Sequence, residues 1–185
     1  MDASGSDDVA DDPTPAAVLI PVVTDGSSTI LVFTRRAPDL ETHAGQMSFP
    51  GGRREPEDES MLDTALREAH EEIDLHPSAV TVGGQLDPIT TVTGFSVTPF
   101  VGAVEDSPFR PDPTEVAEIV TIDRERLTDP TAYEHERRTH PTRGDMTVHY
   151  FRVDGYTIWG ATARILVQYL ERTSSWTPPG EPKTT

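Results

Sequence analysis

The sequence predicts an α+β domain in which a mixed β-sheet carries one helix on each side. Three observations point there. Apolar runs of strand length recur, at Ala16 to Val23, Thr29 to Thr34, Thr81 to Leu86 and Val97 to Val104. Leu62, Leu66, Ala69 and Ile73 are spaced by four, three and four, which draws one apolar stripe of helical period. Ile165, Leu166, Tyr169 and Leu170 give a second helix, from Gly160 to Glu171, an inward face. This periodicity permits an α/β/α sandwich.

A chain of 185 residues suits a single domain with a full core. Residues 1–13 read as a disordered acidic tail, 14–172 as the domain, and 173–185, rich in Pro, Thr and Gly, as a flexible tail. There are no cysteines, which excludes disulfides, thiolate metal sites and a cysteine nucleophile. The formal net charge is -17, and Lys183 is the one lysine among 15 basic residues. Such a surface repels nucleic acid and anionic lipid, so neither is an expected partner. It resembles the acid-rich surfaces of proteins from salt-loving organisms. No apolar run reaches the length of a membrane span, and MDASGSDDVADD is unlike a signal peptide. A soluble, cytoplasmic protein is expected.

Taken in order, Ala16 to Val23 contains Pro21 and reads as an edge strand. Asp25-Gly26-Ser27-Ser28 is a turn that leads into Thr29 to Thr34, the second strand of a hairpin. Gly51-Gly52 allows a sharp turn, and Pro56, Glu57 and Asp58 form an acidic loop. Ser60 is a candidate N-cap with Asp63 three residues on. Asp87 to Phe95 separates two strands as a loop with the character of a binding loop. Pro108 to Pro113 is irregular, Glu115 to Ile122 approaches a short strand, and a turn of helix ends near Leu127. Tyr133 to Gly144 is polar and reads as a surface excursion. Thr147 to Val153 and Tyr156 to Trp159 form a hairpin around Asp154-Gly155. Trp159, Tyr150, Phe151 and Tyr156 read as core or as a homodimer interface.

The chemistry concentrates between His43 and Leu75. Glu68 and Glu72 stand four apart on one side of the helix, flanked by Glu71. Like charges at that spacing repel, and acids near a helix C-terminus oppose its dipole. A bound cation removes both penalties, and oxygen ligands suit Mg2+ or Mn2+. Charge alone also allows a plain solvated acidic face. The histidines show no pair at i,i+4, and neither a G-x-S-x-G elbow nor a G-x-x-x-x-G-K-[ST] loop is present.

Gly52, Glu59, Arg67-Glu68 and Glu71-Glu72 resemble the Nudix box of the Nudix hydrolases, with six residues between Gly52 and Glu59. Leu31 to Gly52, LVFTRRAPDLETHAGQMSFPGG, resembles the segment before the box in the coenzyme A pyrophosphatase branch, whose box is one residue longer. Thr34, Arg36, Ala37, Gly45 and Phe49-Pro50-Gly51-Gly52 fall on that pattern. Glu41 stands where the branch has a second Arg, and Asp74 where the box has its last Gly. Asp tolerates a left-handed helix end.

The resemblance selects the Nudix fold among α/β/α sandwiches. It implies a pyrophosphatase dependent on Mg2+ or Mn2+, with Glu68, Glu72 and the Gly51 carbonyl as metal ligands. Glu71 is a ligand or orients the attacking water. The general base is sought outside the box, at Glu115 or Glu118. Glu59 and Arg67 are expected to pair and fix loop to helix. Arg36 is a candidate phosphate contact, with Arg35 solvated beside it. His43 is a candidate substrate contact through the HAGQ turn, or a local hydrogen-bonding group. Phe95 stacks on a base or packs in the core. The implied substrate is a small nucleotide derivative, coenzyme A or a thioester of it. ADP-ribose, NADH or a nucleoside triphosphate is the alternative, and a nucleotide-holding domain without catalysis is a third.

Overall fold

The computed structural model describes residues 12–38, 45–105, 108–141, 144–180 and 183–184. Strand β1 (Thr14–Asp25) turns through Gly26, at φ 60°, into β2 (Ser28–Arg36). Two short strands follow, β3 (Met47–Ser48) and β4 (Gly51–Arg53), and then helix α1 (Met61–Ile73). Next come β5 (Val80–Gln85), β6 (Ile89–Thr90), β7 (Phe95–Val104), β8 (Val116–Asp123) and the single-turn helix α2 (Arg124–Leu127). The chain continues through β9 (Tyr133–His140), β10 (Gly144–Val153), β11 (Tyr156–Trp159), helix α3 (Gly160–Thr173) and β12 (Lys183–Thr184).

The main sheet is mixed and runs β3-β2-β1-β7-β5, with β8 also on β2, β4 on β1 and β6 on β7. Strands β1 and β7 are parallel and the other pairs antiparallel. Alternation along β1 and β2 splits the core into two clusters, because successive side chains in a strand face opposite ways. Ala17, Leu19 and Val32 pack with Ala65, Ala69 and Ile73 of α1. Ala16, Ile20, Leu31 and Phe33 face the other way, toward Ile165, Leu166, Tyr169 and Leu170 of α3. These four α3 residues are at most 2% exposed, as the sequence predicts. The α+β sandwich with a mixed sheet is thus observed.

Pro21 does not mark an edge. Strand β1 is paired on both sides, by β7 along its length and by β4 and then β2 on the other flank. Pro21 sits where that flank changes partner: β4 covers Ala16 to Val18, Leu19 N–H reaches Pro50 O at 2.9 Å, and β2 begins at Val22. A missing N–H is tolerated at such a break.

Tyr133 to Gly144 is not an excursion either. Residues 133–140 form β9, antiparallel to β10, in a second sheet of order β11-β10-β9-β12. Polar residues occupy this strand because only its inward positions near the start, Tyr133 and His135, are buried. Asp154 (φ 54°) and Gly155 (φ 84°) turn β10 into β11, as both residues with positive φ at a two-residue hairpin should. Phe151 is core, whereas Trp159 is 43% exposed. Within the stretch read as a flexible tail, Trp176 is half-buried, its ring 5.2 Å from Tyr133 and 5.9 Å from Phe151. Among the described residues no helix is long and apolar enough to cross a membrane.

Candidate active site

Helix α1 is fixed at both ends by its own sequence. The Ser60 hydroxyl accepts from Asp63 N–H at 3.2 Å and donates to Asp63 Oδ2 at 2.8 Å. Asp74 adopts φ 57°, its N–H donating to His70 O at 3.0 Å while Leu75 N–H donates to Ala69 O at 3.3 Å. The bond from Asp74 to His70 is that of the αL helix end, a position normally served by glycine. The inward face is rotated from the predicted stripe. Thr64, Ala65, Ala69, Glu72 and Ile73 are buried, while Leu62 and Leu66 are half-buried at the flank.

That rotation carries Glu72 under the sheet. It is 4% exposed and its Oε2 accepts the Gly51 N–H at 3.2 Å. Both glycines of the turn are required by close approach. A Cβ on Gly51 would lie 2.3 Å from Ala17 O, and one on Gly52 would lie 2.4 Å from Glu68 Oε1. Burial pushes the Glu72 carboxyl up to about 8, helped by the negative charges of Glu68 and Glu115. The Gly51 N–H and the Arg36 guanidinium act against that rise. Glu68 is also raised, first by burial, with Arg67 opposing and Glu71 and Glu115 adding.

The structure therefore brings Glu68, Glu72, Glu115 and Arg36 within electrostatic reach of one another. Glu115 is exposed at the entry to β8, and its carbonyl accepts from Ala37 N–H at 2.9 Å, where β2 ends. Glu118 is held elsewhere: Arg35 Nε lies 3.0 Å from it and the Tyr156 hydroxyl donates to it at 2.6 Å. Arg35 is thus an ion-pair partner as well as a solvated residue. Arg36 Nε is buried and has no hydrogen-bond partner among the described residues.

The expected Glu59–Arg67 pair is replaced. Arg67 donates from Nε to Asp58 Oδ1 at 2.9 Å and from Nη2 to Asp58 Oδ2 at 3.1 Å. Asp58 also accepts from the Thr64 hydroxyl and the Glu55 N–H, both at 2.9 Å. The Arg67 hydrogen bond is the main cause that holds the Asp58 carboxyl well below its usual range. Arg67 Nη1 reaches Glu68 Oε1 at 3.1 Å and Glu71 Oε2 at 3.0 Å, and Nη2 reaches Arg53 O at 3.0 Å. Glu59 is exposed, and among the described residues it enters no ion pair with Arg67. Asp58 was missed because the motif favours the neighbouring Glu. The available signal is Thr64 and Arg67, three apart on the helix face that meets the loop.

Phe95 is half-buried against the α3-side core, with the Arg53 guanidinium 5.0 Å from its ring centre. His43 and Glu41 lie outside the described residues.

Among the described residues no three acidic or histidine side chains are already gathered into a metal cage, and Glu68 instead faces Arg67. The donor set nonetheless fits a hard divalent cation. Burying an ionised carboxylate costs several kcal/mol unless an opposite charge repays it. Glu72 and Glu68, two buried or half-buried oxygen donors beside a glycine turn, match Mg2+ or Mn2+ better than any softer metal.

Comparison with known proteins agrees with this geometry. The NUDIX domain family matches residues 13–152. The uncharacterized Nudix hydrolase NudL of Yersinia pestis (strain Pestoides F) is 39% identical over 160 residues, covering 86% of this chain and 79% of the relative. NudL of Yersinia pseudotuberculosis serotype O:1b matches equally, at 39% over 160 residues with the same coverage. Among solved structures, the Nudix hydrolase RenU of M. smegmatis superposes with a TM-score of 0.53 at 23% identity, covering 63% of this chain and 74% of that one. A MutT/nudix family protein from Enterococcus faecalis gives 0.58 at 13% identity, covering 86% and 61%. These two show the fold. With the family matched across most of its length, this chain belongs to the Nudix hydrolases, enzymes that act on diphosphate bonds and generally use divalent cations.

Proposed function

We propose that the protein hydrolyses the diphosphate of coenzyme A or of its thioesters, releasing 3',5'-ADP and 4'-phosphopantetheine or its acyl form. The observation that carries this reading is the buried Glu72 carboxyl against the Gly51 N–H, with the Arg36 guanidinium, from the end of β2, near it. The segment Leu31 to Gly52 supports the coenzyme A branch within the family. Glu41, in place of the branch's second Arg, favours a second reading in which another nucleoside diphosphate derivative such as ADP-ribose is cut.

In this mechanism Glu68 and Glu72, with the Gly51 carbonyl, would hold the cation. When bound, Mg2+ or Mn2+ offsets the charge of the diphosphate, acidifies water and stabilises the phosphoryl transition state. Arg36 offers the outer nitrogens of its guanidinium to a phosphate oxygen, for which that planar group is suited, while its Nε stays buried. Glu115 takes the proton of the attacking water, since Glu118 is engaged by Arg35 and Tyr156. Arg67, anchored on Asp58, sets the positions of Glu68 and Glu71. Glu71 is exposed and orients water at the rim.

The test is a substrate panel of coenzyme A, ADP-ribose, NADH and dNTPs with Mg2+ or Mn2+ in concentrated salt. Coenzyme A is expected to give the highest kcat/KM, and Arg36→Ala to raise KM about tenfold. A higher kcat/KM for ADP-ribose moves the assignment to the second reading. Binding without turnover on any of them removes the catalytic one.

A further inference from the structure

The end of α1 is held by a loop distant in sequence. The last carbonyls of a helix have no partner within it. Here Asp112 N–H donates to Glu72 O at 2.9 Å and Arg110 N–H donates to Ile73 O at 3.0 Å. Glu72 is thereby held on two sides, its carboxyl by the Gly51 N–H and its carbonyl by Asp112. Glu115 follows shortly after Asp112, within electrostatic reach of Glu68 and Glu72.

The sequence Asp112-Pro113-Thr114 folds that loop into a turn. Asp112 Oδ1 accepts from the Thr114 N–H and from the Thr114 hydroxyl, each at 2.8 Å. Asp112 O accepts from Glu115 N–H at 3.1 Å and from Val116 N–H at 2.8 Å. An Asp side chain stabilises a turn in this way because its oxygen mimics a backbone acceptor. On the far side Glu115 O accepts from Ala37 N–H at 2.9 Å, one residue past Arg36. The pairing of β2 with β8 also slips there: Arg35 faces Glu118 but Arg36 faces Val116, so Ala117 is an extra residue. A bulge of this kind re-aims the side chains beside it.

Glu115 is exposed, so no packing fixes its rotamer. A long side chain in solvent keeps its rotational freedom, and the fold can place only its main chain. That main chain is tied to Glu72 through Asp112 and to the end of β2 through Ala37. We propose that Asp112 is a positioning residue, whose capped turn sets Glu115 beside the Glu68–Glu72 pair for proton transfer from the attacking water. The inference rests on the reading of Glu115 as the base, and not on which diphosphate is cut.

The fold supplies its own control. Asp129-Pro130-Thr131 repeats the sequence and the turn: Asp129 Oδ1 accepts from Thr131 N–H at 2.8 Å and from its hydroxyl at 2.6 Å, and Asp129 O accepts from Ala132 N–H at 3.0 Å. This second turn leads into β9 and carries none of the candidate site residues.

The test measures kcat and KM, on whichever panel substrate turns over fastest, in wild type, Glu115→Ala, Asp112→Ala, Asp112→Asn, Asp129→Ala and the double variant Asp112→Ala/Glu115→Ala. Glu115→Ala is expected to lose about 100-fold in kcat. Asp112→Ala is expected to lose about tenfold in kcat with KM unchanged, since a displaced base costs less than a missing one. Asp112→Asn, which keeps the accepting oxygen, and Asp129→Ala should both retain wild-type kcat. The double variant should be no slower than Glu115→Ala, because a residue that acts through Glu115 then has nothing to place. Wild-type kcat in Asp112→Ala, with Glu115→Ala slow, overturns the positioning role alone. So does a loss in Asp112→Asn or Asp129→Ala equal to that in Asp112→Ala, or a double variant slowed further by the Asp112 factor. Wild-type kcat in Glu115→Ala removes the base reading, and the positioning role with it. Hydrogen exchange needs no turnover: the Glu115 and Val116 N–H groups are expected to exchange faster in Asp112→Ala and to stay protected in Asp112→Asn. Unchanged protection in Asp112→Ala overturns the proposal.

Discussion

Arg67 grips Asp58 through two hydrogen bonds, of 2.9 and 3.1 Å, and so ties the acidic loop to the middle of α1. The Asp58 side chain is 5% exposed and that of Arg67 22%. Removing one partner of a buried ion pair leaves the other uncompensated. Asp58→Asn is expected to cost about 3 kcal/mol in urea unfolding and to lower kcat, because Arg67 then aims Glu68 and Glu71 less well. Glu59→Gln, one residue away and exposed, is expected to stay within about 0.5 kcal/mol of wild type. Equal costs for the two variants would return the loop anchor to Glu59.

Glu72→Gln separates folding from chemistry. The folded protein disfavours an ionised Glu72 when no cation is bound, because burial and the charge of Glu68 raise its carboxyl to about 8. A neutral amide of the same size should therefore fold at least as stably without metal. Turnover is expected to fall by at least about 100-fold, and Mn2+, expected to raise the Tm of the wild type, should leave that of the variant unchanged. Full activity in this variant would end the metal-ligand role.

The two glycines of the turn should respond differently to alanine. In Gly51→Ala the new methyl would meet the backbone of Ala17 and Val18, at 2.3 Å from the oxygen and 2.6 Å from the Cα. Strand pairing must yield there, so Tm should drop sharply. In Gly52→Ala the clash, at 2.4 Å, is with the far end of the Glu68 side chain. That end can move, so the fold should survive while Mn2+ affinity falls. Comparable unfolding midpoints for the two variants would contradict this division.

His149 gives a pH signature away from the carboxylates. Its imidazole stays neutral in the folded protein down to about 4, chiefly because it is buried, against an ordinary value of 6.5. Between those values the unfolded chain binds a proton that the folded chain refuses. The contribution of His149 to stability is complete above about pH 6.5 and declines as pH falls toward 4. His149→Phe is expected to lack that part of the decline, read from urea midpoints between pH 4 and 7. An NMR titration placing His149 near 6.5 in the folded protein would sink the prediction.

By itself the sequence determined the parts that close within a few residues. The Ser60 cap, the Asp74 helix end, the inward face of α3 and the turn at Asp154-Gly155 depend on neighbours up to four positions away, so their chemistry is written locally. The candidate acids Glu68 and Glu72 were legible for the same reason. Tertiary structure decided whatever depends on which strand lies beside which. Pairing on both flanks made β1 central despite Pro21, and β10 turned a polar stretch into β9. Three-dimensional packing chose Asp58 over Glu59, engaged Glu118 with Arg35 and Tyr156, and placed Glu115 near Glu72. Those choices turn on distances across the fold, where a shift of one residue along the chain reverses which side chain arrives and which faces solvent.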